Sequence, residues 1–528
     1  MLTNQLCVYG NQNVQLPAHL NFGKYMLDQL RKMNNEIALE NFETKDKLTY
    51  RELTQYAVNL ANSLMRLGIG RGDIVAVGSE KRNIFLPTVL AIVFTGATYT
   101  PYDLNSGRAV LKHKLSITRP EYFICSKLFW ETNSDVLKSF ECIKTFISLD
   151  DSQEAAITVK SLISKDVDVD KFEPATVDGK NDTAFILYSS GTTGMPKGVC
   201  LTHLNCILNS MWDEYKDESL ETMFVFGEWY HNYDTFMTYK FLLAGRKVVY
   251  INEPSQDTIL QCLQDCQVNI AMLVPSYIGY ISKAENVSKY NLNSLRIMYS
   301  RSSPLHSKTV QRLKQRFPKL QNVLQGYGMT ECGELTSENW GTKGPKSGSV
   351  GMASPGITLK ISDPKTNKTL GPNQHGEIRV AGPVLMKGYI GVDPSSYLDP
   401  EGFFKTGDLG YYDDDKYFYI VDRMKEMISY DGYKIAPLEL ETILLLHPAV
   451  REAGVVGKPV PEYGEQPAAF VVKQPGSKVT EQELVDYVAS QVAPFMQLTG
   501  GVKFIEKIPR NPRGKILRQT LREMLSQF

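Results

Sequence analysis

Residues 186–199 read Ile-Leu-Tyr-Ser-Ser-Gly-Thr-Thr-Gly-Met-Pro-Lys-Gly-Val. An apolar run from Phe185 to Tyr188, typical of a buried strand, leads into a loop of hydroxyl-bearing residues and glycines that Lys197 closes. Glycines let backbone N–H groups approach an anion, hydroxyls add donors, and Lys supplies a positive charge. The stretch therefore predicts a polyphosphate-binding loop. The alternative is a flexible surface linker, which rarely follows a buried strand so directly.

This loop differs from the Walker type. That motif, G-x-x-x-x-G-K-[ST], requires Gly where Pro196 stands and a hydroxyl-bearing residue where Gly198 stands. The residues that we expect to hold phosphate oxygens are Ser189, Ser190, Gly191, Thr192, Thr193, Gly194 and Lys197.

The composition is that of an ordinary globular protein. The 528 residues are 42% hydrophobic and 22% charged, and this length predicts two or more domains. Lys plus Arg and Asp plus Glu both number 58, so the net charge is zero and no nucleic-acid partner is expected. The longest apolar stretch, residues 84–97, contains Pro87 and is too short to span a membrane.

Cysteines and termini suggest a location. The eight cysteines are scattered without zinc-type spacing, which is typical of reduced thiols inside a cell. No secretory signal is evident at the start of the chain. The chain ends Ser526-Gln527-Phe528, which differs from the Ser-Lys-Leu peroxisomal signal. We expect a cytoplasmic protein, with a peroxisomal location left open and the oligomeric state unknown.

Helix and strand patterns alternate over most of the chain, which predicts an α/β fold with doubly wound, mostly parallel sheets. Thr49 to Glu52 form a capping box ahead of an amphipathic helix that reaches Leu67. From about Val350 shorter strands and turns predict an antiparallel, β-rich subdomain. We expect a large domain over residues 1–422.

The last hundred residues predict a small, mobile α+β domain over residues 423–528. Its expected helices are Pro437–Leu446, Glu481–Ser490 and a terminal helix from Lys515 to Leu525.

A second cluster runs from Gln325 to Glu331. The flat face of Tyr327 could stack on a planar base, and Gln325, Gly326 and the Thr330 hydroxyl lie beside it. Glu331 offers a carboxylate to Mg²⁺, which prefers oxygen ligands. Alone, the segment could equally be a turn with a buried aromatic residue.

Two further clusters follow. Asp408, with Arg423 after it, could bind a ribose diol, although a turn Asp is the plain alternative. The turn Asn511-Pro-Arg-Gly-Lys515 delivers one Lys at an expected helix start. Such a Lys is usually solvated, but beside a nucleotide site it could stabilise a departing pyrophosphate.

Together these clusters resemble the adenylate-forming superfamily of acyl-CoA synthetases, acid–CoA ligases and beetle luciferases. The resemblance runs from about Thr49 to Leu525, and it is strongest to the 4-coumarate–CoA ligase and firefly-luciferase branch. Four motifs in the family's order carry it.

The resemblance implies a reaction in two steps. A carboxylate attacks the α-phosphate of ATP to give an acyl-adenylate and pyrophosphate, and the CoA thiol then displaces AMP. Residues 189–197 would hold the β- and γ-phosphates, Thr330 would contact the α-phosphate region, and Glu331 would hold Mg²⁺. Asp408 and Arg423 would bind the ribose.

The resemblance also implies domain rotation. Lys515 would bridge the substrate carboxylate and the α-phosphate. Lys425 matches the family's hinge position, and Gly432 would face CoA after the small domain has rotated.

The chain departs from the family at the acid and adenine sites. The family's Gly-Gly-Ala-Pro is here Arg301-Ser302-Ser303-Pro304, where Ser302 and Ser303 would face adenine. His231 aligns with the family's carboxylate-side His, but the following Gly-Phe-Gly is Asn232-Tyr233-Asp234. We expect His231, Tyr233, Arg301 and Glu334 to line the acyl pocket.

Three other residues bear on the substrate. Glu334 and Glu338 stand where relatives place small or apolar residues, and Arg301 is the expected partner of Glu334. Ser429 replaces a Lys that luciferases and 4-coumarate–CoA ligases use in the second half-reaction.

The sequence thus predicts an ATP-dependent acid–CoA ligase for a fatty or aromatic carboxylic acid, with Mg²⁺ as cofactor and CoA as co-substrate. The alternatives are a luciferin-oxidising monooxygenase, a related protein that binds ligands without turnover, and a domain that loads a carrier protein.

Overall fold

The computed structural model describes residues 6–104, 106–151, 157–189, 195–211, 217–283, 285–300, 305, 307–338, 344–430, 433–460, 464–511 and 514–525. Within these ranges, no helix has both the length and the apolar character needed to cross a membrane.

The described helices are α1 Phe22–Leu30, α2 Tyr50–Arg66, α3 Phe85–Phe94, α4 Arg108–Thr118, α5 Lys127–Lys138, α6 Val159–Leu162, α7 His203–Ser210, α8 Asn232–Leu243, α9 Gln256–Asp265, α10 Pro275–Lys283, α11 Ser307–Arg316, α12 Pro437–Leu446, α13 Glu481–Ala489 and α14 Arg518–Leu525.

The described strands are β1 Val8–Tyr9, β2 Ile37–Asn41, β3 Lys47–Thr49, β4 Ile74–Gly78, β5 Thr98–Tyr102, β6 Tyr122–Cys125, β7 Thr145–Ser148, β8 Thr183–Ser189, β9 Lys197–Thr202, β10 Thr222–Val225, β11 Lys247–Tyr250, β12 Ile270–Leu273, β13 Ile297–Ser300, β14 Asn322–Met329, β15 Gly333–Ser337, β16 Met352–Ala353, β17 Thr358–Ser362, β18 Thr369–Leu370, β19 Gly376–Ala381, β20 Gly388–Tyr389, β21 Phe404–Tyr412, β22 Phe418–Arg423, β23 Ile428–Tyr430, β24 Tyr433–Ile435, β25 Val450–Val460, β26 Gly464–Lys473 and β27 Val502–Phe504.

Two large sheets have parallel centres, as the alternating pattern predicts. One has the order β20-β9-β8-β5-β4-β6-β7, and the other β16-β15-β14-β13-β12-β10-β11-β2-β3. Strands β8, β5, β4, β6 and β7 are parallel, and so are β14, β13, β12, β10, β11 and β2. Antiparallel strands are added at the edges. The expected doubly wound α/β architecture is confirmed.

The two remaining sheets belong to different units of the fold. The antiparallel sheet β1-β17-β19-β21-β22, with β18 beside β17, forms the β-rich subdomain. A small sheet, β24-β23-β26-β25 with β27 beside β26, packs with α12, α13 and α14 and draws only on residues after 427. The large and small α/β units match the expected class, and β22 runs to Arg423, one residue beyond the predicted boundary at 422.

The local signals explain several helix ends. Thr49 caps α2, because its hydroxyl accepts the Glu52 N–H at 3.3 Å while the Glu52 carboxylate accepts the Thr49 N–H at 2.8 Å. The terminal helix, however, begins at Arg518 and not at Lys515. The expectation was wrong because residues 516–517 are still tied to the preceding segment: Ile516 bridges Arg510, and the Leu517 N–H donates to the Pro509 carbonyl at 2.9 Å.

An aromatic core packs β8, the strand that precedes the phosphate loop, against α8, the helix that follows His231. The Phe22 ring of α1 packs edge-on against Phe185 of β8 and against Phe236 and Tyr239 of α8, with ring centroids 5.8 to 6.1 Å apart. All four side chains are nearly inaccessible to water. Since such cores are as densely packed as organic crystals, β8 and α8 are held as one rigid body.

Candidate active site

The predicted site residues of the described ranges converge on one cavity of about 2320 Å³ between the large and small units. Its walls include the ends of β8 and β9, the β14–β15 turn, the start of α8 and the β21–β22 pair. The small unit contributes further lining residues, among them Arg510, Asn511, Gly514, Lys515 and Ile516.

The phosphate-loop prediction can be followed only at its two ends. Ser189 ends β8 and pairs in register with Lys197, which begins β9. The Lys197 ammonium lies 4.9 Å from the centre of the Tyr389 ring. Five predicted residues lie outside the described ranges: Ser190, Gly191, Thr192, Thr193 and Gly194.

Asp408 is held by two partners. Arg423 Nε lies 2.8 Å from Asp408 Oδ1, and the Tyr327 hydroxyl donates to Oδ2 at 2.5 Å. Asp408 and Arg423 face each other in the β21–β22 register. The buried carboxylate is therefore satisfied on both oxygens, which a buried charge requires. Burial and the Asp408 charge raise the pKa of Tyr327 well above its usual value, so its hydroxyl stays a donor.

A buried ion network fixes the turn that carries Asp408. Gly407, at φ +71°, donates its N–H to Glu377 Oε1 at 3.2 Å. Glu377 pairs with Arg379 at 2.8 Å, and Arg379 in turn pairs with Asp399 at 3.1 Å. These side chains are nearly inaccessible to water, so the turn has little freedom to move. The sequence analysis did not find this network, because its members are scattered over three segments.

Thr330 and Glu331 lie in the tight turn between β14 and β15. A Cβ added at Gly328 would lie 2.3 Å from the Gly333 carbonyl oxygen, so the close approach of the two strands requires glycine there. The Asn232 side chain donates to the Thr330 carbonyl at 3.0 Å, which ties this turn to the start of α8. Asn232, a departure from the family pattern, thus has a positioning contact.

Glu331 has a partner that the sequence analysis missed. The Tyr389 hydroxyl donates to Glu331 Oε1 at 2.7 Å, and burial together with this carboxylate raises the pKa of Tyr389. In the described part of the chain, no three His, Cys, Asp or Glu side chains cluster as metal ligands. A single carboxylate nevertheless fits Mg²⁺, which commonly takes one or two carboxylates together with substrate phosphates. The available signal was the Lys-Gly-Tyr segment that ends in Tyr389.

Gln325 lies on β14, the strand that leads into the turn of Thr330 and Glu331, and makes structural contacts there. Its side-chain oxygen accepts the Leu305 N–H at 2.7 Å, and its own N–H donates to Glu338 Oε2 at 2.7 Å. Glu338 is buried, and burial raises its pKa to about 7. Gly326 follows on β14 and lines the cavity.

Lys515 comes to the cavity from the small unit. Its N–H donates to the Asn511 side chain at 3.0 Å, and Gly514 precedes it at φ +75°. Burial, with repulsion from Arg423 and Lys425, lowers the pKa of Lys515 to about 8. An ammonium group crowded by cations and partly shielded from water is poised to bind an anion. Lys425 itself lies 3.7 Å from Glu426, and burial lowers its pKa.

Two of the predicted acyl-pocket residues, His231 and Tyr233, lie at the start of α8. His231 precedes the helix, its ring centroid lies 4.4 Å from that of Tyr230, and it lines the cavity. Tyr233 follows and directs its hydroxyl to the Met272 sulfur at 3.9 Å.

Glu334 meets partners that were not foreseen. Lys240 Nζ lies 3.2 Å from Glu334 Oε2, and the Tyr299 hydroxyl donates to Oε1 at 2.8 Å. The expected partner, Arg301, lies outside the described residues, as do Ser302, Ser303 and Gly432. Lys240 could have been found from its spacing, since it lies seven residues after Tyr233 and thus on the same helical face.

Comparison with known proteins identifies the architecture. The model of the AMP-binding enzyme family matches residues 27–390, and the model of the AMP-binding enzyme C-terminal domain matches residues 439–515. The chain is 34% identical to luciferin 4-monooxygenase of Photuris pensylvanica over 95% of this chain and 94% of that protein. It is 32% identical to 4-coumarate–CoA ligase 1 of Petroselinum crispum over 97% of this chain and 96% of that protein. The crystal structure of ATP-bound MatB from Rhodopseudomonas palustris superposes with a TM-score of 0.85 at 27% identity, covering 96% of this chain and 99% of that one.

Proposed function

The chain belongs to the AMP-binding enzyme family, and from that premise we propose that it is an ATP-dependent acid–CoA ligase for a fatty or aromatic carboxylic acid. The observation that carries the proposal is Lys515, which enters the cavity of Glu331 and Asp408 with its pKa lowered to about 8. The relatives include a named CoA ligase, which supports a thiol as the final acyl acceptor.

In the first half-reaction, a carboxylate oxygen of the acid attacks the α-phosphorus of ATP. A new O–P bond forms, the bond from that phosphorus to the bridging oxygen breaks, and pyrophosphate leaves with the electron pair. The acid is already ionised at neutral pH, so no protein base is needed. Catalysis is then positioning and charge stabilisation, with Lys515 between the acid carboxylate and the α-phosphate and Thr330 beside it.

The nucleotide is bound by groups from all three sheets of the large domain. Asp408 would accept from the ribose hydroxyls, with Arg423 holding it, and Tyr327 would lie against the base. Ser302 and Ser303 would face adenine, together with Gln325 and Gly326. The phosphate chain would be held by Ser189, Ser190, Gly191, Thr192, Thr193, Gly194 and Lys197.

Glu331 is the residue that would hold Mg²⁺. The ion would neutralise charge on the phosphate oxygens as pyrophosphate departs. The Tyr389 hydroxyl holds one oxygen of the Glu331 carboxylate through its 2.7 Å hydrogen bond, so the other oxygen would be the one to bind the ion.

In the second half-reaction, the CoA sulfur attacks the acyl carbonyl carbon. The C–O bond to AMP breaks, AMP leaves, and the thiol proton is released. We assign the large domain to residues 1–422 and the small domain to residues 423–528, with Lys425 at the hinge and Gly432 on the side that faces CoA. His231 would lie beside the acid carboxylate, ahead of Tyr233.

A luciferin-oxidising monooxygenase is the second candidate, favoured by the 34% identity to a luciferin 4-monooxygenase over nearly the whole chain. Ser429 stands against it, because it replaces a Lys that luciferases carry. The ligase proposal is less affected, since many acyl-CoA synthetases resemble this chain in lacking that Lys. Light from luciferin, ATP and oxygen in the absence of any CoA thioester product would support that candidate.

The test is pyrophosphate release with ATP, Mg²⁺ and a panel of fatty, aromatic and hydroxylated acids, with and without CoA. We expect release that depends on one class of acid and a CoA thioester product identified by mass spectrometry. Bound ATP without release on any acid would overturn the proposal in favour of a binding protein.

A further inference from the structure

Helix α4 contacts the predicted phosphate loop, residues 189–197, at the point where the loop ends. His113 Nε2 lies 2.9 Å from the carbonyl oxygen of Pro196. A carbonyl oxygen can only accept, so the imidazole N–H is the donor. Pro196 directly precedes Lys197, the cation that closes the loop. Since His113 and Pro196 are 83 residues apart in the sequence, this is a tertiary contact between a helix and the loop.

The same helix also contacts the chain where the loop begins. The Tyr188 hydroxyl, one residue before Ser189, donates to the Thr118 hydroxyl at 3.3 Å. The Lys114 ammonium lies 4.7 Å from the centre of the Tyr188 ring, within the range of a cation–π contact. These three side chains are buried. Because Ser189 and Lys197 pair in register across β8 and β9, α4 supports both ends of the loop.

The Pro196 carbonyl determines how Lys197 is presented. This carbonyl belongs to the peptide group that joins Pro196 to Lys197, and a peptide group is planar. The proline ring fixes φ of Pro196, so rotation about its Cα–C bond is the main freedom that remains there. A hydrogen bond from His113 to the carbonyl oxygen restricts that rotation. It therefore limits the direction in which the Lys197 side chain leaves the backbone.

We propose that His113 is a positioning residue for ATP, because it holds the Pro196 carbonyl and thereby directs Lys197 toward the β- and γ-phosphates. This inference rests on the proposed function, since it assumes that Lys197 binds those phosphates. The effect of His113 passes through Lys197 and not through a contact with the ligand. It should therefore be confined to ligands that carry the β- and γ-phosphates.

Two variants of nearly equal size isolate the N–H donor. His113→Gln keeps an N–H group near the place of Nε2, whereas His113→Met removes it, and both new residues are good helix formers. Calorimetric titration with Mg²⁺ and ATP, and separately with AMP, gives Kd without turnover when no acid is added. We expect His113→Met to raise the Kd for ATP about fivefold, which corresponds to ~1 kcal/mol for one neutral hydrogen bond. The Kd for AMP should stay unchanged, and His113→Gln should restore most of the affinity for ATP.

A double-mutant cycle tests whether the effect passes through Lys197. Adding His113→Met to Lys197→Met should raise the Kd for ATP no further, because the effects of coupled residues are not additive. The control on the same helix is Ser116→Ala. It removes an exposed hydroxyl that donates to the His113 carbonyl at 2.7 Å within the helix, and it should leave both Kd values unchanged.

The outcomes separate this inference from the proposed function. An unchanged Kd for ATP in His113→Met, an equal rise in the Kd for AMP, or the same effect with and without Lys197 would overturn the inference alone. If Lys197→Met itself leaves the Kd for ATP unchanged, the phosphate role of Lys197 is wrong, and the inference is overturned with it. An ATP-specific effect that depends on Lys197, without pyrophosphate release on any acid, would keep the inference and overturn the ligase function.

Discussion

Arg423 and Asp408 face each other on neighbouring antiparallel strands, with Arg423 Nε 2.8 Å from Asp408 Oδ1. The strand that supplies Arg423 ends there, and Lys425 follows two residues later. The proposed ribose site and the proposed hinge are therefore joined by one short segment. A nucleotide bound at Asp408 would therefore also act on the residues that begin the proposed small domain.

Asp408→Asn should weaken ATP binding while leaving the turnover of bound substrate nearly unchanged. The amide cannot satisfy both Arg423 and Tyr327, and hydrogen bonds to a charged group are worth about 1.5–3 kcal/mol, so Kd should rise by about tenfold to a hundredfold. Calorimetric titration with ATP measures this. Asp414→Asn, on an exposed turn of the same subdomain, is the control. Unchanged Kd for Asp408→Asn would remove this residue from the ribose site.

Lys515→Ala should slow adenylate formation with little effect on ATP affinity. Loss of one preorganised donor to a developing charge costs about a hundredfold to a thousandfold in rate. Single-turnover pyrophosphate release isolates this step. Lys507→Ala removes another cation at the cavity wall and serves as control, since it should retain near-normal rates. Undiminished release by Lys515→Ala would exclude the assigned role.

The pH dependence of adenylation should follow Lys515. Its pKa is lowered to about 8 by burial and neighbouring cations, so the group is charged below that pH and neutral above it. A step that needs the ammonium should therefore lose kcat/KM as pH rises through about 8, since kcat/KM reports the free enzyme. Lys515→Arg stays charged and should shift or abolish this fall. A wild-type profile that is flat from pH 7 to 10 would contradict this prediction.

Tyr389→Phe should raise the Mg²⁺ concentration needed for half-maximal activity. The change removes the hydroxyl that orients Glu331, and loss of such outer partners costs about tenfold to a hundredfold in metal affinity or activity. Magnesium titration of pyrophosphate release measures it. Tyr397→Phe, whose ring lies 5.0 Å from that of Tyr389, tests for a general packing effect. An unchanged Mg²⁺ requirement would show that Tyr389 does not act through Glu331.

Glu338→Gln should make stability less dependent on pH. Burial raises the pKa of Glu338 to about 7, above its ordinary value, so the folded state holds the proton more tightly than the unfolded state. The resulting stability is present at low pH and is lost as pH rises from about 4.5 through about 7, by at most ~3 kcal/mol. Thermal unfolding of both proteins from pH 5 to 8 compares them. The difference in Tm between wild type and variant should change across this pH range. A constant difference in Tm would contradict the raised pKa of Glu338.

The sequence predicted most of what local chemistry determines. The Thr49 capping box, the alternating strands and helices, and the change to antiparallel strands near residue 350 all follow from short patterns. The terminal helix was misjudged because the backbone of Ile516 and Leu517 is tied to the segment before Lys515, a contact that helix propensity does not reveal. The association of Asp408 with Arg423 was foreseen from the resemblance.

Contacts between distant segments were not foreseen. The Lys240–Glu334 pair joins a helix to a strand 94 residues away, and its formation depends on how α8 packs on β15. Tyr389 reaches Glu331 from an edge strand 58 residues later. The spacing along α8 places Lys240 on the face of Tyr233, but it does not indicate which residue of another segment Lys240 contacts. Such contacts arise from sheet order and helix packing, which the sequence indicates only at the level of fold class.

The most direct test of the central claim is acid-dependent pyrophosphate release, followed in the same reaction by mass spectrometry of the CoA product. The account predicts that one class of carboxylic acid triggers release with Mg²⁺ and ATP, that CoA yields its thioester, and that Lys515→Ala slows both by about a hundredfold to a thousandfold. ATP binding without release on any acid in the panel, or release without a thioester, would contradict it.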